Sequence, residues 1–236
     1  KGHKSWNKIK FTEEKTEEII NYDKIGNNYP EVMKKFHISS KRLNKILNEL
    51  DKFTIDFVKV LEKHSEYVIV SGYVSILLGR SRASEDVDLL IPQMSFPNFL
   101  KLFDDLISRG YECANTSDPN EAFEMWGEHA IRFYKENPLP NIEFKKITNE
   151  IQKKALAEKI SVIIRENKLF ISPLELQIAY KLSIMSKGSI EEISSDKDFE
   201  DAKHLYDIFL EELNREELLK FMRLFEVEDK MELLER

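Results

Sequence analysis

Two aspartates one residue apart, Asp86 and Asp88, lie in the run "EDVDLLIP" among apolar Val87, Leu89 and Leu90. Side chains of a strand repeat with a period of two, so both carboxylates share one face of a largely buried element. Two like charges this close at low dielectric are costly without a cation between them. Hard divalent ions such as Mg²⁺ take oxygen ligands, and are commonly held by one or two carboxylates completed by substrate phosphates. Upstream, with thirteen residues between it and Asp86, the small pair Ser71-Gly72 ends one apolar segment and opens a helical one. Small residues at such a turn let backbone N–H groups and a hydroxyl approach a phosphate. The spacing therefore predicts a phosphate cradle beside a cation site.

The elements that must position these residues follow from hydrophobic periodicity and its punctuation. Strands are expected over 67–70, 87–91, 111–114, 130–134, 142–145, 161–165 and 169–171. Helices are expected over 51–63, 74–78, 96–108, 174–186, 198–211, 215–225 and 228–235. The pattern predicts an α/β or α+β fold, a sheet flanked by helices with a mainly helical C-terminal part. It divides as a small all-α module (1–50), a sheet-bearing core (51–150) and a helical part (151–236).

Composition limits the classes available. A chain of 236 residues with 42% hydrophobic and 33% charged residues is globular and long enough to bury a real core. The longest apolar run, 67–79, falls short of the roughly 20 residues a membrane-spanning helix needs. The opening "KGHKSWNKIK" lacks the apolar core of a signal peptide, so a cytoplasmic location is expected. The single Cys113 permits no disulfide framework and reads as a small hydrophobe on a strand. Net charge is -7, yet residues 1–50 carry 11 Lys and Arg against 7 Asp and Glu. The basic excess is therefore confined to the N-terminal region.

That region reads as three short helices, 12–22, 29–36 and 40–50. The segment "GNNYPEVMKKFHISSKRLNKIL" resembles the helix-turn-helix of transcription regulators and recombinases, with His37 where the turn usually has Gly and Met33 where the second helix usually has Ala. The resemblance implies DNA or RNA contact through Lys41, Arg42, Asn44 and Lys45 on the third helix. The alternative is a helical docking domain with a solvated basic face.

The stretch "VSGYVSILLGRSRASEDVDLLI" resembles the signature of the nucleotidyltransferase superfamily that includes DNA polymerase beta. Within it the closer likeness is to the minimal and AbiEii-type toxin-antitoxin nucleotidyltransferases, where a Gly-Gly turn, an Arg-x-Arg-x-Thr/Ser element and Asp-Ile-Asp recur. Here Ser71 stands at the first Gly of that turn. The resemblance implies a nucleotidyltransferase-fold mixed sheet and a third carboxylate on a later strand. Glu143 in "NIEFKK" supplies it, unless it is an edge-strand charge. On this likeness Asp86, Asp88 and Glu143 hold Mg²⁺ or Mn²⁺, with two ions implied. Arg80 and Arg82 either hold phosphate or order their loop. "SPLELQIAYKLSIM" followed by "SSDKDFEDAKHLYDI" is similar to the family's Lys-bearing helix and the Asp-x-x-Asp helix after it. That implies nucleotide contacts from Lys181, Asp198 and Asp201, with a solvated Lys181 and an N-cap Asp198 as the alternatives.

The activity implied is transfer of a nucleoside monophosphate from an NTP to a hydroxyl of a protein or RNA acceptor, with release of pyrophosphate. The alternative is a DNA-binding regulator, antitoxin-like, whose nucleotidyltransferase fold is catalytically inactive. Aminoglycoside modification uses the same fold, but no acceptor site of that kind is legible. Trp126 reads as a core aromatic in preference to a base-stacking platform, and no membrane contact is expected.

Overall fold

The computed structural model describes residues 40–80, 84, 86–164, 166–186, 193 and 195–235. It forms two compact units, the first ending at Ile171 and the second spanning Ser172–Arg236. The first described element, α1, is one helix, Ser40–Leu61. It runs through the helix boundary expected near residue 50, because no Gly or Pro interrupts it. Lys41, Arg42, Asn44 and Lys45 fall within this helix. The helices expected at 12–22 and 29–36 lie outside the described residues.

Seven strands follow in the first unit: β1 Val68–Val70, β2 Asp86–Ile91, β3 Tyr111–Cys113, β4 Ile131–Lys135, β5 Asn137–Lys146, β6 Ile160–Ile164 and β7 Asn167–Ile171. They form a single sheet of order β3-β4-β5-β2-β1-β7-β6. Pairs β2·β5 and β1·β7 are parallel and the other neighbours antiparallel, so the sheet is mixed, as expected. Helices α2 Gly72–Leu77, α3 Phe96–Ser108, α4 Pro119–Glu128 and α5 Glu150–Ala157 connect the strands.

Alternation sorts the sheet residues by face. Val87, Leu89 and Ile91 of β2, Ile142 and Phe144 of β5, and Ile131 and Phe133 of β4 are all buried. Register sets Phe144 beside both Leu89 and Ile131, and Ile142 beside both Val87 and Phe133. Aromatic rings pack among them: Phe133 and Phe144 meet edge to face at 5.8 Å, and Phe57 of α1 meets Tyr111 the same way at 5.3 Å. Trp126 of α4 stacks on Phe99 of α3 at 5.6 Å and is buried, so it is a core residue. Such contacts add about 0.5–1.5 kcal/mol each beyond area burial. The opposite face carries the polar residues of the same strands.

Helices α4 and α5 are additions to the elements expected from periodicity. Their buried residues are few, Ala122 and Trp126 in one and Ala155 in the other, so neither presents a wide apolar stripe. Caps define them instead: the Asp118 carboxylate accepts from Asn120 N at 2.7 Å with Pro119 opening the helix, and Asn149 Oδ1 accepts from Gln152 N at 2.9 Å.

The second unit is helical: α6 Leu174–Ile184, α7 Lys197–Ile208, α8 Arg215–Leu224, a 3₁₀ turn Glu228–Lys230 and α9 Met231–Leu234. Helix α6 is buried on nearly every side, and its charged residues are paired. Glu175 accepts the backbone N–H of Asn214, which in turn caps α8. Lys181 lies between Asp198 at 2.5 Å and Asp201 at 3.0 Å, both from α7. No helix among the described residues is long and apolar enough to cross a membrane.

Candidate functional site

The polar face of the sheet is built rung by rung. Residue Asp88 stands beside Glu143 across the parallel pair β2·β5, and Glu143 stands beside Arg132 across β4·β5. Two residues along, Asp86 stands beside Asn141; two residues the other way, Leu90 stands beside Lys145. Asp86, Asp88, Asn141, Glu143 and Lys145 thus share a face by strict alternation. The central rung meets the end of β1, where Val70 pairs with Asp88 and the chain turns at Ser71.

Cationic side chains close on the carboxylates. Lys145 Nζ donates to Asp88 Oδ1 and lies 2.6 Å from Glu143 Oε2. Arg132 donates to the other Glu143 oxygen, Oε1. The carboxylate side chains of Asp88 and Glu143 are each 12% exposed, whereas that of Lys145 is 36% exposed. Burial pushes the Asp88 carboxyl above its usual range and Glu143 adds to the rise, against the pull of Lys145. Burial acts the same way on Glu143, but hydrogen bonds from Lys145, Asp88 and Arg132 bring it down to about 2.

Neighbouring Asn141 is 6% exposed, and its Oδ1 has no hydrogen-bond partner among the described residues. An orphaned buried carbonyl oxygen costs about 1–3 kcal/mol. Its position beside Asp86 makes it a further oxygen donor on the acidic face.

The turn at Ser71 is strained. Its backbone has φ 65° and ψ -142°, close to a region that glycine enters freely and residues with a Cβ rarely adopt. The serine thus holds a glycine's conformation at the position where the resembling family has Gly. Gly72 and Tyr73 beyond it are buried in the first turn of α2, which is six residues long. Arg80 is half-buried and its backbone N–H closes on Ser75 O at 2.9 Å. Arg82 lies outside the described residues.

Lys181, Asp198 and Asp201 belong to the second unit and come together there. Lys181 is 2% exposed and Asp201 fully buried. The cap of α7 is Asp196, which accepts from the backbone N–H groups of Asp198 and Phe199, so Asp198 sits inside the first turn and is not the N-cap.

Among the described residues no group of three or more His, Cys, Asp and Glu side chains is placed to hold a metal ion by itself. What does converge is the pair Asp88 and Glu143, with Asp86 one pleat away and the Asn141 oxygen beside it. A carboxylate pair completed by phosphate oxygens and water is a common way of binding Mg²⁺, so the donor set fits such an ion. The Lys145 ammonium shows where positive charge is accommodated between the two carboxylates. Lys145, Arg132 and Asn141 carry no local motif. Only the strand register reveals them: the β2·β5 pairing of residues some fifty apart places Asn141 and Lys145, and the β4·β5 pairing places Arg132.

No protein-family model and no curated protein matches the chain. Among solved structures it is similar to an antigenic nucleotidyltransferase-like protein from Paracoccidioides brasiliensis, at 17% identity and a TM-score of 0.48, over 84% of this chain and 94% of that one.

Proposed function

We propose that the protein is a metal-dependent nucleotidyltransferase that moves a nucleoside monophosphate from an NTP to a hydroxyl of a protein or RNA acceptor. The observation that carries this reading is the pairing of Asp88 with Glu143 on adjacent parallel strands, with Asp86 on the same face and thirteen residues between it and a strained small-residue turn. The same stretch bears the family-like motif.

In this reading Asp86, Asp88 and Glu143 hold the divalent ion, Mg²⁺ or Mn²⁺. Bound there, the ion supplies Lewis-acid polarisation of the α-phosphate and lowers the pKa of the attacking hydroxyl. The chain's own residues bind and orient. The Ser71-Gly72 turn brings backbone close to the phosphates, as a side chain at the second position would not allow. Arg132 stays on Glu143 and fixes its rotamer, leaving the carboxylate presented along the sheet face. The acceptor oxygen attacks the α-phosphorus in line, the bond to the bridging oxygen of the β-phosphate breaks, and pyrophosphate leaves. The acceptor's proton passes to solvent or to a carboxylate of the site.

Supporting evidence for Lys181, Asp198 and Asp201 is of a different kind. Their burial and mutual pairing inside the second unit give them a structural role there, and a nucleotide contact rests on the motif likeness alone. The minimal or AbiEii-like branch, and DNA or RNA contact by Lys41, Arg42, Asn44 and Lys45, are likewise part of the proposal. The basic excess of residues 1–50 favours the nucleic-acid contact, and Arg42→Ala with Lys45→Ala should weaken DNA or RNA binding and flatten its salt dependence.

The test of the function is incubation of the protein with each of the four α-³²P-labelled NTPs, Mg²⁺ or Mn²⁺, and a pool of cell proteins and RNA. Label on a macromolecule together with pyrophosphate release is expected; nucleotide binding without transfer would favour the non-catalytic regulator.

A further inference from the structure

Three carboxylates face one side of the sheet at neighbouring rungs, Asp86, Asp88 and Glu143, and two cations answer them, Arg132 and Lys145. The two cations are not equivalent. Arg132 touches Glu143 alone, through one guanidinium nitrogen. Lys145 bridges Glu143 and Asp88, so its ammonium holds the position where two acidic side chains converge. It does so from the solvent side, since its side chain is three times as exposed as either carboxylate it covers. An ammonium is a compact charge on a flexible four-carbon stem, with no fixed fork to hold it in one geometry.

We propose that Lys145 is a tethered counter-cation of this site, which neutralises Asp88 and Glu143 in the empty protein, yields its place to the divalent ion, and transfers its ammonium to the phosphates of the entering nucleotide. The inference rests on the metal-dependent reading given above. It follows from charge and reach. A divalent ion entering between Asp88 and Glu143 meets an ammonium already in contact with both, and the two like charges cannot share that space. The exposed stem gives Lys145 a way out toward solvent, and a triphosphate coordinated to the ion presents anionic oxygens there. Metal alone must therefore displace a bound cation with nothing to receive it. Metal with nucleotide supplies the receiving group. Lys145 thereby makes the two ligands favour each other, and by linkage the effect is reciprocal. This assigns it as a substrate-positioning residue.

The test is Mn²⁺ binding to the full chain, followed by the electron paramagnetic resonance signal of free Mn²⁺, for wild type, Lys145→Met and Lys145→Gln. Each is measured alone and with each of the four α,β-methylene nucleoside triphosphates, which cannot be turned over. Lys145→Met is expected to bind Mn²⁺ alone about tenfold more tightly than wild type. The analogue should strengthen Mn²⁺ binding strongly in wild type and much less in the variant. Lys145→Gln keeps a polar side chain of similar reach and should behave as Lys145→Met does. Adding Asp88→Asn to Lys145→Met should remove the tightened binding. Equal Mn²⁺ affinity in wild type and both variants, or an undiminished effect of the analogue, would overturn the role of Lys145 while leaving the metal site standing. Absence of Mn²⁺ binding from every protein, with and without analogue, would overturn the metal-dependent reading and this inference together.

Discussion

Asp88 and Glu143 stand side by side on parallel strands β2 and β5, and a single ammonium, that of Lys145, touches both. Everything proposed for the site depends on this pairing. The register sets the two carboxylates side by side on one face, where Asp86, Asn141 and Lys145 join them by alternation along β2 and β5, and Arg132 stands beside Glu143 across β4·β5.

The conformation of Ser71 has a thermodynamic consequence. Relief of the strain carried by a residue with a Cβ at φ 65° is worth about 1–3 kcal/mol, offset by the extra freedom of glycine in the unfolded chain. Ser71→Gly should therefore raise stability by about 1 kcal/mol, or about 2–4 °C in Tm for a chain of this size. Differential scanning calorimetry measures it. A lowered Tm would show that contacts of the serine side chain outweigh the backbone strain.

Asn141 should show opposite effects on stability and on binding. Replacing a buried amide whose oxygen has no partner by an apolar side chain of similar size removes a desolvation cost, so Asn141→Leu should stabilise the ligand-free protein by about 1 kcal/mol. If the oxygen serves a ligand, the same variant should weaken Mn²⁺ or nucleotide binding severalfold. Urea unfolding and equilibrium dialysis report the two quantities separately, and a variant that binds as wild type does would remove Asn141 from the site.

The cluster of Lys181, Asp198 and Asp201 is a stability element of the second unit. Lys181→Met leaves two buried carboxylates without their cation and should cost about 3–5 kcal/mol. Replacing all three residues by apolar ones of similar volume should recover most of that loss. Denaturant unfolding of the single and triple variants is the measurement. A loss below about 1 kcal/mol for Lys181→Met would contradict the structural role.

Acid should weaken the cap of helix α7. Burial opposes ionisation of Asp196, but backbone N–H groups of Ser186, Phe199 and Asp198 hold its pKa below the usual carboxylate value. A depressed folded-state pKa means stability that is present above the unfolded value of about 3.9 and lost as pH falls through the folded one. Asp196→Ala should cost about 1 kcal/mol at neutral pH and progressively less below pH 4. Asp196→Asn keeps the accepting oxygen and should remove this residue's contribution to the pH dependence. Stability against pH for the three proteins checks the sign.

How much of this was legible in the residues varies with the distance over which they act. The shared face of Asp86 and Asp88 is a property of period two and needs only three consecutive positions. Glu143 was reachable through the family likeness, since the sheet register that sets it beside Asp88 spans more than fifty residues and leaves no trace in local pattern. Lys145, in "EFKK", reads as a charge at a strand end, and only the register turns it into a contact of Asp88. Helix α3 was legible from its apolar stripe, and its residues 96–108 are as expected. Helices α4 and α5 bury too few side chains to show one, and their caps carry the signal instead. The nucleotide contact of Lys181 rests on the family likeness; its pairing with α7 depends on the packing of two helices, which no spacing within α6 records.

The central claim is tested most directly by label transfer from α-³²P-NTP in the presence of Mn²⁺, comparing wild type with Asp88→Asn, a change that keeps the side chain's size and removes its charge. Labelled acceptor is expected from at least one of the four NTPs with wild type, and a loss of about a hundred- to a thousandfold in rate with Asp88→Asn, as when stabilisation of transition-state charge by the ion this carboxylate would hold is lost. Undiminished transfer by Asp88→Asn, or no transfer by wild type from any of the four, would contradict it.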